Sequence, residues 1–151
     1  MSRPRFIVSL AVALFLAVPA TAEEVTPPVE ILTPDHAEYE PILSALQHSV
    51  EVLVGIPIRI DVNELRLQGD YAFIGAIVVN PDGSEIDFSK TLIAEFAKQD
   101  FDGPKLWAFL VKEHGYWQVL EQDIGPTDAW FVFWPSEHGG SCEIIADGMT
   151  C

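Results

Sequence analysis

Basic residues are scarce in this chain: eight Lys and Arg stand against 23 Asp and Glu, a formal charge of −15 over 151 residues. A field of that sign repels phosphate backbones and anionic headgroups, so neither nucleic acid nor a membrane surface is an expected partner. What it leaves is a basic protein or peptide, a metal ion, or no partner at all if the charge serves only solubility. Cysteine is almost missing. Cys142 and Cys151 are the only two, with no Cys-x-x-C spacing and no basic neighbour to stabilise a thiolate, so redox chemistry is not expected. An isolated pair in an exported chain reads instead as a disulfide that fastens the C-terminal tail. Long apolar runs are lacking too: Phe6 to Val18 falls short of the ~20 residues that a membrane-spanning helix needs.

Catalytic and cofactor signatures are equally thin. Phosphate-loop glycines are absent, Ser136 and Ser141 have no Gly-x-Ser-x-Gly setting, and His36, His48, His114 and His138 show no metal-ligand spacing. The oxygen-rich run Asn80, Asp82, Ser84 and Asp87 departs from the helix-loop-helix calcium pattern, having neither its sixth-position Gly nor its twelfth-position Glu. No catalytic residue, cofactor or metal is therefore assigned. His138, beside Glu137 and Gly139-Gly140, is the best placed candidate for a proton shuttle, although a surface loop residue is its plainer reading.

What is present begins with an export signal over residues 1–22. A basic start at Arg3 and Arg5, the apolar run, and Ala20-Thr21-Ala22 predict cleavage near Ala22–Glu23 and a periplasmic address, with no Cys after the cut to carry a lipid anchor. Loss of the two arginines would take the charge to −17.

Residues 23–40 read as an extended lead-in, 41–137 as an α+β domain, and 138–151 as a tail. From Pro41, Ile42, Leu43, Leu46, Val50, Leu53 and Val54 form one apolar stripe at helical spacing, closed by Gly55. Ile56, Ile58, Ile60 and Val62 then alternate like a half-buried strand. The apolar phase shifts to Leu65 and Leu67, which predicts a β-bulge near Asn63-Glu64. After the turn at Gln68-Gly69-Asp70, Tyr71 to Val79 is apolar on both faces, as a central strand is. A short helix is expected over Thr91–Lys98.

Three of the four tryptophans fall between Lys105 and Trp130, in a hairpin turned at His114-Gly115 and followed by Gly125-Pro126-Thr127-Asp128. The last four predict a helix start, with Trp130 to Phe133 buried and Trp134-Pro135 as its stop. The whole predicts one main helix on a four-stranded antiparallel sheet, a short C-terminal helix, and a tail pinned by Cys142–Cys151.

Gly69-Asp70-Tyr71-Ala72-Phe73, Leu106-Trp107-Ala108-Phe109-Leu110, Tyr116-Trp117-Gln118-Val119 and Gly125-Pro126-Thr127-Asp128 carry a resemblance. Over about Pro41 to Glu137 the chain resembles a group of small exported bacterial proteins of cystatin-like or NTF2-like α+β fold. The resemblance implies fold and location and assigns no activity. Three functions follow as expectations. One is a non-enzymatic periplasmic binding or accessory protein, and a sharper form is an inhibitor of a cationic enzyme such as lysozyme. The rival is an NTF2-like hydrolase or isomerase, with Tyr71, Trp107, Trp117, Trp130 and Trp134 lining a small-molecule pocket.

Overall fold

Five strands, not four, make the sheet. The computed structural model describes residues 26–99 and 101–151; the expected leader and its cleavage point near Ala22–Glu23 lie outside the described residues. Its elements are β1 (Glu30–Ile31), α1 (Tyr39–Val54), β2 (Arg59–Gln68), β3 (Tyr71–Val79), β4 (Lys105–Glu113), β5 (Tyr116–Ile124) and a short α2 (Trp134–Glu137). The strands lie in the order β1-β2-β3-β4-β5, each antiparallel to its neighbour, in one open sheet. The extra strand comes from the lead-in: Glu30 sits opposite Leu67 and Ile31 opposite Arg66, and the Leu32 N–H donates to Leu65 O at 2.8 Å. Two residues are too few to show an alternation, so no period announces this strand. No described helix is long and apolar enough to cross a membrane.

Helix α1 starts at Tyr39, two residues ahead of Pro41. Proline is tolerated there because the first-turn N–H groups have no intrahelical acceptor. Ile42, Leu46, Val50 and Val54 are fully buried at spacings of four, while Leu53 stays partly exposed at the stripe's border. Gly55 ends the helix in the left-handed region (φ 77°), its N–H donating to Glu51 O. The polar side of α1 also ties to the sheet: the Glu51 carboxylate accepts from the Ile58 N–H, and Gln47 Nε2 donates to Ile58 O, both at 3.2 Å.

The bulge falls where the phase change requires it. Val62 pairs with Ala76 and Glu64 with Gly75, leaving Asn63 unpaired, so Ile58, Ile60 and Leu65 all point at α1. A second bulge lies in the hairpin, where Val119 faces Leu110 and Glu121 faces Phe109. Leu120 is the extra residue and packs on the side of the sheet away from α1. The two-residue turn holds His114 at φ 52° and Gly115 at φ 85°, the left-handed pair that a tight hairpin requires.

The side away from α1 is where the structure departs most from the expectation of a single covering helix. It carries Tyr71, Phe73, Trp107 and Phe109, and the chain after Ala129 covers it. A 3-10 turn at Trp130–Val132 brings Phe131 against Trp107, with ring centroids 4.4 Å apart. Trp134 and Pro135 open α2 instead of stopping a helix, proline again occupying a first turn, and a further 3-10 turn at Cys142–Ile144 buries Ile144 completely. Trp130 and Phe133, expected inside, are exposed at 62 % and 56 %. Cys142 and Cys151 are joined as expected, with Cα atoms 5.3 Å apart.

The predicted helix over Thr91–Lys98 is a series of turns, preceded by a 3-10 turn at Phe88–Lys90 that Asp87 caps. Only Ile93 and Ala97 of this stretch reach the core, while Leu92 and Phe96 face outward, and so short a segment does not repay helix nucleation.

Gly75 is a sharp test of the aromatic layer. A Cβ built there would come within 2.5 Å of the Trp107 ring, which is held between Phe73 and Phe131. Gly75→Ala is expected to destabilise by about 1–3 kcal/mol, because that ring has nowhere to retreat; urea unfolding followed by tryptophan fluorescence measures it.

Candidate functional site

The five aromatics proposed as pocket lining do not meet in one cavity. Trp117 lies on the α1 side, whereas Tyr71, Trp107 and Trp134 belong to the aromatic layer on the opposite side. Trp130 stands apart at the rim, beside Phe96 and Asp123. Between α1 and the sheet, Leu46, Val50, Leu106 and Leu110 are fully buried, together with Ala108.

A cleft of about 510 Å³ opens elsewhere, between the lead-in, the β2–β3 turn and the tail, and its wall includes Pro27, Asp70, Tyr71 and Gly139–Ser141. Its shape is held by two hydrogen bonds, from Gln68 Nε2 to Pro27 O at 3.0 Å and from Tyr71 Oη to His138 O at 2.9 Å. His138 is thus tied down by its backbone, and its Nε2 lies 2.9 Å from Glu121 Oε1. No hydroxyl or thiol nucleophile lies within hydrogen-bond reach of its ring among the described residues.

The suspected oxygen ligands between Asn80 and Asp87 turn to local donors. Asp82 accepts from the Ser84 N–H and hydroxyl, and Asp87, held at about 2 by Lys90 and then Ser89, caps the 3-10 turn. No group of three or more metal-binding side chains converges among the described residues.

Two charged residues were missed in the sequence, because Arg66 is buried and Glu38 is partly buried only by the fold. Arg66, 7 % exposed, lies under the tail and pairs with Glu64 and Asp147. Glu38, just before α1, accepts from Lys112 Nζ at 2.6 Å and from the Trp117 indole at 2.7 Å. These bonds, that of Lys112 first, hold the Glu38 carboxyl below its ordinary value of 4.5. The folded state therefore binds this proton less tightly than the unfolded chain. The contribution to stability is complete above pH 4.5 and is lost as pH falls from there through the folded pKa. Glu38→Gln is expected to cost about 1–2 kcal/mol at neutral pH and to flatten the stability profile below pH 4.5, read from chemical denaturation at stepped pH.

The surface balance is the most distinctive feature. Each of the six Lys and Arg among the described residues is engaged by a carboxylate: Arg59 by Asp61, Arg66 by Glu64 and Asp147, Lys90 by Asp87, Lys98 by Glu95, Lys105 by Asp102, and Lys112 by Glu38. Those pairs use seven of the twenty described Asp and Glu, and thirteen have no Lys or Arg partner. The class that emerges is an open α+β sheet with a helix on one face, an irregular disulfide-closed layer on the other, and a surface of uncompensated carboxylates. No family model, curated protein or solved structure matches the chain.

Proposed function

We propose that this protein is an exported, non-enzymatic binding protein for a basic protein or peptide, and that a cationic enzyme such as lysozyme is the kind of target it blocks. The observation that carries this reading is the surface balance: every described Lys and Arg is engaged, and thirteen described carboxylates have no Lys or Arg partner. Such a surface steers a basic partner toward encounter and raises its association rate, with an effect that salt screens. The strand order β1-α1-β2-β3-β4-β5 supports a cystatin-like arrangement, in which an exposed sheet margin and its loops are available to a partner. The rival NTF2-like enzyme needed an acid or histidine inside a cavity walled by the tryptophans, and these residues are divided between two faces and a rim.

Lysozyme activity assayed with and without the protein, at low and moderate salt, tests the reading. Inhibition at micromolar protein that weakens as salt rises is expected, and no inhibition at either salt discards the lysozyme form. A set of other basic proteins assayed for binding in the same buffers then tests the wider proposal.

A further inference from the structure

β5 lies at the edge of the sheet with β4 as its only neighbour, and from Tyr116 to Asp123 its backbone makes no hydrogen bond beyond β4 among the described residues. Natural sheets blunt such an edge with Lys, Pro, a bulge or a covering segment, because a bare strand invites another; β5 has the bulge at Leu120 and keeps its margin open on either side of it. This one carries no Lys, Arg or Pro, and it carries Glu121 and Asp123. Two adjoining clefts of about 240 and 220 Å³ lie at its C-terminal half and share Phe96 and Asp123. Leu53 continues one and Trp130 the other, so a partly exposed apolar trough flanks the strand.

Among the described residues, neither Asp123 nor Asp128 has a Lys or Arg within ion-pair distance, and Gln122 Oε1 is buried with no donor. Burial raises the Asp123 carboxyl above the ordinary aspartate value, which an approaching cation would reverse. From these features we infer that the β5 edge takes an extended, lysine- or arginine-bearing segment of a partner protein as a sixth strand, its cation at Asp123 and its apolar side chains on Phe96 and Trp130.

The inference rests on the cationic-partner reading above and gives it a location. Main-chain hydrogen bonds to the edge supply affinity in such strand addition, and alternate side chains supply selectivity. An arginine over the exposed Trp130 ring would add a cation–π contact. A second copy of this chain is the disfavoured occupant, since pairing β5 with itself would set Glu121 and Asp123 against like charges on a molecule of net charge −15.

The test uses a short fluorescent peptide alternating lysine with valine, its glutamate–valine counterpart, and a lysine–valine version N-methylated at every second residue, which cannot bond along one margin. Anisotropy titration at low salt should show tight binding of the first, binding of its N-methylated version weakened about tenfold, and none of the glutamate counterpart. Asp123→Asn and Trp130→Ala should each weaken it about fivefold to tenfold, while Glu85→Gln, on the loop after β3, should change it less than twofold. Thermal melting of each variant confirms that the fold is intact, as expected for side chains at the solvent boundary. Unchanged affinity in both Asp123→Asn and Trp130→Ala overturns the groove and leaves the cationic reading standing. Failure of both the lysine peptide and lysozyme to bind overturns the two together. Sedimentation showing a dimer that excludes the peptide gives the edge to a second copy and overturns the proposal as well.

Discussion

Phe109→Ala is expected to be the most damaging single substitution, costing about 3–5 kcal/mol and lowering Tm by on the order of 10–25 °C. Phe109 is fully buried at the middle of β4, on the side away from α1. Its ring stacks on Tyr71 with centroids 5.4 Å apart, approaches the His138 ring at 6.2 Å, and would stand 3.1 Å from a Cβ at position 140. Truncation removes the surface on which Tyr71, His138 and Gly140 rest, and these belong to two stretches of chain far apart in sequence. The cavity cannot be refilled by one local adjustment, which places the cost toward the upper end of the range for such changes. Phe109→Leu, which keeps most of the volume, should cost much less. Circular dichroism melts of the two variants check the pair; a loss below about 1 kcal/mol for alanine would mean that the second layer does not unfold with the sheet.

Removal of the disulfide by the double substitution Cys142→Ser and Cys151→Ser is expected to cost about 2–3 kcal/mol, the loop-closure value for so short a ring. The consequence reaches the core because of what the ring contains. Ile144, fully buried among Phe73, Phe109 and Trp134, lies inside it, as does Asp147, the partner of Arg66. Loosening the ring therefore frees an apolar plug and strips a buried guanidinium of one of its two carboxylates. Hydrogen exchange should become fast over residues 141–151 and at the Arg66 end of β2, while the α1 side stays protected. Ile144→Ala with the disulfide intact separates the plug from the staple and should cost about 2–5 kcal/mol by itself.

How far these features could be foreseen depended on whether the signal was local. The stripe from Ile42 to Val54, the alternation from Ile58 to Val62 and its slip at Asn63, and the His114-Gly115 turn each lie within a few residues, and each has its expected place. Strand β1 was invisible because two residues have no period, and it exists only because β2 offers Leu65 and Leu67 an edge to pair. Trp134-Pro135 reads equally as the end of one helix or the start of another. The choice fell to Phe131 and Trp134, which reach the aromatic side of the sheet only if the helix begins there. The pocket aromatics were legible as apolar bulk and not as a set, since which face of the sheet each tryptophan meets depends on the register of separate strands and on the path of the later chain. The groove along β5 draws Leu53, Phe96, Asp123 and Trp130 from four separated segments, and no linear pattern joins them.

The order in which the two layers are completed also matters to the living chain. The sandwich of α1 and sheet is finished once β5 has been made, yet Phe73, Phe109 and Trp107 stay bare until Phe131, Trp134 and Ile144 have arrived. A polypeptide emerging amino end first thus carries a sticky aromatic flank after its first layer is complete. The closing oxidation step is the moment at which that hazard ends, so thiol-oxidising capacity at the place of folding should set the yield of native molecules.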